Sequence, residues 1–309
     1  MKFLCAGLLA LMPFLSQAQN SQTISIIAGA GPGGVTDMQA RAVSDFFNSK
    51  GLKSIVVNKS GANQLIASNY VANQVGDSKT LLLGSMSNTA IPIAEKSDLA
   101  QFDENTLTPI GYVGFTNFVF VVNKDKIKSR TLTEFLNEFS ADHEKINFGT
   151  PGPLLTYAMR DIVKSTKKPP TFIQYKSTPQ ILFDVLSGNI QAGLVDVSTA
   201  MQHIREDKVV ALGVVSRSRS KTLPQIPAIR EVIKDFELVG GWFGLFAPPG
   251  VSADVVAEYS RLLNEMHKSP DYQERFEKMS IQQQSMSSRE FSAFYKDQIA
   301  QFRSKSSGK

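Results

Sequence analysis

The sequence predicts an α/β protein of two lobes, each a mainly parallel sheet with helices on both faces, the second lobe inserted into the first. Three observations carry this. Strand-like apolar runs alternate with helix-length amphipathic segments; the alternation restarts after the very apolar run Phe118-Val119-Phe120-Val121-Val122; and the chain returns through Trp242-Phe243-Gly244-Leu245-Phe246-Ala247 to terminal helices. A chain of 309 residues, 42% apolar and 20% charged, is long enough to bury two cores.

The elements follow in order. Residues 24–28 read as a strand, followed by a glycine loop and an amphipathic helix over residues 36–49. Residues 55–57 and 80–84 are the next strands, with a helix over residues 65–73 between them. Thr131-x-x-Glu134 is a capping box that starts a helix of the second unit, whose strands cover residues 146–148, 172–175, 193–195 and 209–215. Ser287-x-x-Glu290 caps the last helix. The expected organisation is a leader at 1–18, the first part of lobe 1 at 19–122, lobe 2 at 123–243, and a return to lobe 1 at 244–309. In sheets of this kind ligands sit outside the carboxyl ends of the strands, so two facing lobes enclose a cleft there.

The first residues read as an export signal. Lys2 precedes an apolar stretch from Phe3 to Phe14, broken by Pro13, and Ser16-Gln17-Ala18 is a small-x-small cleavage site. The alternative is a buried N-terminal helix. Cys5 is the single cysteine and leaves with the leader, so neither disulfides nor thiolate chemistry are expected, and a periplasm is the compartment that fits. The net charge of +5 falls by one with Lys2, and the remaining Lys and Arg are dispersed apart from Lys167-Lys168 and the Arg303-Ser304-Lys305 tail. That mild excess weakly favours anionic ligands and argues against a nucleic-acid surface.

Gly29-Ala30-Gly31-Pro32-Gly33-Gly34 satisfies G-x-G-x-x-G directly after a strand. A dinucleotide site needs an acidic residue at the end of the second strand, and here Val56-Val57-Asn58-Lys59 supplies none. Pro32 also removes a backbone donor from the loop. Two readings of the loop stay open. Gly33 and Gly34 bring the backbone close to a ligand, with Thr36-x-x-Gln39 opening a helix whose N–H groups bind a carboxylate; or the loop is a tight turn in which Thr36 and Asp37 only cap that helix. His143, His203 and His267 show no metal-ligand spacing, and the common hydrolase and nucleotide motifs are missing. Asp196, at the end of a strand, either contacts a ligand hydroxyl or amine or caps the next helix; the cap is the preferred reading.

In order along the chain, these segments resemble the substrate-binding proteins of tripartite tricarboxylate transporters, the Bug family. The matching residues are Gly31-Pro32-Gly33-Gly34-Val35-Thr36-Asp37 with Arg41, Val57-Asn58-Lys59-Ser60-Gly61-Ala62-Asn63, and Thr108-Pro109-Ile110-Gly111. Further on come Phe148-Gly149-Thr150-Pro151-Gly152, Gln174-Tyr175-Lys176, Leu186-Ser187-Gly188 to Val195-Asp196, Leu223-Pro224-Gln225-Ile226-Pro227, and Trp242 to Gly250. The resemblance implies a type II periplasmic binding protein fold whose two glycine-rich loops, residues 31–37 and 149–155, grip a carboxylate. The ligand contacts expected on this basis are Gly33, Gly34, Val35, Thr36, Asp37, Asn63, Ser87, Thr150, Gly152, Leu154, Tyr175 and Asp196. The implied role is capture of a small organic acid for membrane transporter subunits, by a monomer without metal, cofactor or catalysis. The alternative role is an exported module feeding a signalling partner. One departure bears on the ligand: Pro153-Leu154-Leu155 replaces the family's glycine and hydroxyl residue. That exchange points to one carboxylate and a less polar body; the alternative is that Leu154 and Leu155 point into the core of the second lobe and leave dicarboxylate binding unchanged.

Overall fold

The computed structural model describes residues 23–142, 146–166, 170–216, 218–220, 222–238 and 240–307. The expected leader, Cys5, His143 and Lys167-Lys168 lie outside them. The chain runs β1 (Ile24–Ala28), α1 (Val35–Ser49), β2 (Ser54–Asn58), α2 (Leu65–Ala72), β3 (Thr80–Ser85), α3 (Ala90–Ala94) and β4 (Thr108–Thr116). It continues through β5 (Phe118–Val122), α4 (Leu132–Asp142), β6 (Asn147–Thr150), α5 (Pro153–Ile162), β7 (Thr171–Gln174), α6 (Thr178–Ser187) and β8 (Ala192–Asp196). Then come α7 (Val197–Arg205), β9 (Val210–Val215), α8 (Ile229–Val232), β10 (Gly241–Ala247), α9 (Ala253–Lys268), α10 (Pro270–Lys278), β11 (Ile281–Gln282) and α11 (Ser288–Ser307). No helix among the described residues is long and apolar enough to cross a membrane.

Two sheets form, one per lobe. The first has the strand order β11-β4-β10-β3-β1-β2 and the second β7-β6-β8-β5-β9. The parallel expectation holds for β1 with β2 and β3, and for β6 with β7 and β8. β10 instead runs antiparallel between β3 and β4, and β5 runs antiparallel between β8 and β9. Strands β4 and β11 had no element assigned to them from sequence, because Thr108-Pro109 and the short Ile281-Gln282 carry little strand signal.

The boundaries expected at 122/123 and 243/244 are corrected. Phe118–Val122 belongs to the second sheet, and all of Gly241–Ala247 belongs to the first. The chain crosses at Asn117 and again just before Gly241, so the two crossings lie side by side where Gly241 pairs with Thr116. Both runs are apolar throughout, and a strand buried on both faces does not reveal its partners.

Packing fixes the frame of the site. Trp242 is buried edge-on against Phe291, Phe294 and Tyr295, which tie α11 to the first sheet. In the second lobe Phe120, Phe135, Phe139 and Phe148 form an edge-to-face and stacked cluster under α4. Both predicted capping boxes form: Thr131 with Glu134, and Ser287 with Glu290, each exchanging backbone and side-chain bonds.

Candidate functional site

The loop after β1 is built around Asp37. Gly33 takes φ of +79°, a left-handed value open to glycine, and donates its N–H to Asp37 Oδ2 at 3.0 Å. Arg41 holds both carboxylate oxygens at 2.9 and 3.0 Å, and Asn58 Nδ2 reaches Oδ1 at 2.9 Å and the Ala30 carbonyl at 3.0 Å. Burial raises the Asp37 pKa, but the hydrogen bonds from Arg41, Asn58 and Gly33 outweigh it and hold the carboxyl below its ordinary range. Asp37 therefore fastens the loop.

With Asp37 committed there, the N-terminus of α1 is bare. The N-cap is Gly34, extended at φ −74° and ψ 162°, and no side chain caps the helix. Thr36 and Gln39 do not form the expected box: Thr36 is inside the first turn, and Gln39 is buried with both amide atoms unpartnered. Among the described residues the N–H groups of Val35, Thr36 and Asp37 have no hydrogen-bond acceptor. They are the orphan donors of a helix start, carrying roughly half a positive charge between them and the helix dipole.

Three further helices begin at the same place. Leu154 and Leu155 open α5, Ser177 and Thr178 open α6, and Asp196 is the N-cap of α7; none of the three has a side-chain cap bond. These residues, with Gly34, Val35, Thr36, Ser87, Phe118, Trp242 and Phe243, enclose a narrow cavity of about 50 Å³ between the lobes. The lobes touch at its rim: Gly31 donates its N–H to the Lys176 carbonyl at 3.2 Å. A Cβ added at Gly34 would stand 3.4 Å from Ser177 Cβ.

Of the expected contacts, Gly34, Val35, Thr36, Ser87, Leu154 and Asp196 line this cavity. Asn63 and Tyr175 line an adjoining recess with Gln64 and Lys176, and the Tyr175 hydroxyl donates to Asp184 at 2.6 Å. Gly33 is exposed, and Asp37 faces its own loop. Thr150 is buried behind the second loop, bonded to the Gly152 carbonyl and the Thr156 hydroxyl. Gly152 faces the other lobe, where an added Cβ would stand 3.6 Å from Gln64 Nε2.

Asp196 corrects the preferred sequence reading. It occupies the N-cap position, yet its carboxylate makes no cap bond; Oδ2 accepts the Thr178 hydroxyl and Oδ1 has no partner. Burial pushes its pKa up to about 6, against smaller lowering by the Thr178 hydroxyl and by the backbone N–H of Asp196 itself. The sequence reading missed Gln64, Phe118, Ser177 and Thr178. Ser177-Thr178-Pro179 is a helix-start signature that could have marked its own loop, since Pro sits at N2 there.

Comparison with known proteins agrees with this architecture. Protein BugT of Bordetella pertussis is 27% identical over 278 residues, 88% of this chain and 83% of that protein. The structure of the periplasmic binding protein BugD superposes with a TM-score of 0.83 at 25% identity, covering 91% of this chain and 95% of the other. MatC from Rhodopseudomonas palustris, solved with malate, gives a TM-score of 0.84 at 20% identity, covering 91% and 98%. An R. palustris protein solved with adipate gives 0.83 at 18% identity, covering 93% and 97%. The fold is that of two-lobed periplasmic binding proteins. The family model for the tripartite tricarboxylate transporter family receptor matches residues 39–305, a family of transport receptors and not of enzymes, and the chain belongs to it.

Proposed function

We propose that this receptor captures a small organic acid through a carboxylate seated at the N-terminus of α1. The observation that carries this reading is the convergence of four helix starts without side-chain caps on one cavity. Each contributes the positive end of a dipole, and the N–H donors left at the helix starts suit an anion, although the Val197 N–H of α7 is already taken by the Asn117 carbonyl. The malate and adipate bound by two structural relatives place a carboxylic acid in the same fold. Here the second loop is poorer in donors, because Pro153 offers no N–H and Leu154 and Leu155 face the cavity. With Phe118, Trp242 and Phe243 they make an apolar wall, which favours a less polar body at about 25 cal/mol per Å² buried. A second carboxylate against that wall loses its water without gaining enough donors.

Calorimetry tests this reading, with succinate, citrate and glutamate against aliphatic and aromatic monocarboxylates. A monocarboxylate at a hundredfold excess over its Kd stabilises the protein by about 2.7 kcal/mol. The melting temperature then rises by roughly 2 °C or more. Tight binding of citrate with silence from every monocarboxylate removes the less polar body, and silence from all of them removes the carboxylate.

The protein is exported, cut after Ala18, and hands its ligand as a monomer to the membrane subunits of its transporter. Support comes from the charged, apolar and small-residue pattern of residues 1–18 and from the family. Intact mass of the periplasmic fraction tests the cut; a chain still carrying Met1 defeats it.

A further inference from the structure

We infer that Asp196 is a specificity-determining residue, and that the ligand carries an O–H or N–H donor on the carbon next to its carboxylate to meet Asp196 Oδ1. This rests on the carboxylate reading above and narrows it from organic acids in general to hydroxy acids or amino acids.

Four observations lead there. An aspartate at an N-cap ordinarily accepts the backbone N–H of the second or third helical residue. Asp196 has the extended backbone of an N-cap, with φ −61° and ψ 140°, but gives its own helix no side-chain bond. Asp196 is a residue of the inter-lobe cavity wall at 1% exposure, with one carboxylate oxygen on the Thr178 hydroxyl and the other unpartnered. A buried acceptor without a partner is costly, and an ordered water, an ion or a ligand ordinarily satisfies it.

The cavity wall offers Asp196 no charged partner. Asp196 and Lys176 are the charged residues of the cavity wall; Lys176 is exposed and forms no salt bridge with Asp196 among the described residues. Burial already drives the carboxyl towards neutrality, with its pKa at about 6, as happens when a carboxylate lacks a counter-charge.

The spacing sets where the donor sits. Thr178, which bonds Asp196, follows Ser177, whose Cβ would lie 3.4 Å from a Cβ at Gly34. The start of α1 thus faces Ser177, and Asp196 meets the next residue, Thr178, so the two lie against neighbouring positions of the opening turn of α6. A carboxylate on one ligand carbon and a donor on the next bridge that gap.

The test uses matched acids differing at that one carbon: succinate, malate and aspartate, and 3-phenylpropionate, 3-phenyllactate and phenylalanine. Calorimetry with the wild-type protein is expected to show the hydroxy or amino member of a set binding at least tenfold more tightly than the unsubstituted acid. In Asp196→Asn that advantage shrinks to less than threefold for an ammonium, whereas a hydroxyl keeps more of it, because the amide oxygen still accepts a neutral donor. The two losses separate an amine from a hydroxyl. The ligand-free variant should melt no lower than wild type, since a buried unpaired carboxylate has been removed; if it fails to fold, the wild-type series still decides. An unsubstituted acid binding as tightly as its hydroxy and amino partners overturns the inference alone, because the carboxylate reading then stands. Silence from both complete sets overturns both together.

Discussion

Two aspartates at the mouth of this cleft have opposite assignments. Asp37 is nearly buried and receives Gly33, Asn58 and a two-pronged Arg41, which turns its charge into a clamp on the glycine loop. Asp196, in the wall of the cavity, keeps one buried oxygen without a partner. Hydrogen bonds to a charged group contribute about 1.5–3 kcal/mol each, though the half-exposed Arg41 sits at the low end through solvent screening. Asp37→Asn is therefore expected to lower unfolding free energy by about 2 kcal/mol at neutral pH. The sign with pH follows from the depressed folded value. The stabilisation is present above the unfolded value, 3.8, and is lost as pH falls through the folded one. Urea unfolding from pH 7 to pH 3 should show the wild type and Asp37→Asn converging in acid; a constant gap between them rules out the clamp.

At the scale of elements, four helices are set apart by where they begin, since α2, α3, α9 and α10 also lack side-chain caps. α4 and α11, away from the cavity, carry complete capping boxes. α1, α5, α6 and α7 open into the cavity without side-chain caps, leaving donors for an anion. Gly34 already has the extended backbone of a good N-cap, so a residue with an oxygen can stand there without strain. Gly34→Asp places an internal carboxylate at the anion seat and against Ser177. The ligand-free protein is expected to hold its stability or gain up to about 1 kcal/mol, with carboxylate affinity falling at least tenfold. Unchanged affinity measured by calorimetry would mean that α1 does not hold the ligand.

For the whole molecule the decisive feature is the paired crossing. Strands β4 and β5 are separated by Asn117 alone, and the return enters β10 beside it, so the lobes hang on two adjacent strands. Gly240 sits on the return at φ +130°, and an added Cβ would stand 2.5 Å from the Thr116 carbonyl. Gly240→Val combines a disfavoured backbone with a clash against backbone, and should cost at least about 2 kcal/mol in urea unfolding. A variant as stable as wild type would show that the crossing adjusts freely.

The sequence by itself determined most elements, the glycine loop, two capping boxes and an anion-friendly cleft, because these are local: hydrophobic period, helix starts and turn residues are written within a few positions of one another. Its order of short motifs also identified the family. Only the tertiary structure decided which strands pair across Asn117 and Gly240, since a fully buried apolar run fits either sheet. It also decided that Asp37 is taken up by Asn58, 21 residues away, and that Asp196 meets Thr178, 18 residues away, instead of its own helix. The side chains that compete for one carboxylate come together only when the loops of both lobes close around the same space. That is why the sequence named Asp37 and Asp196 alike as ligand contacts, and the folded chain turned one inward to its loop and left the other in the cavity wall with one oxygen unpartnered.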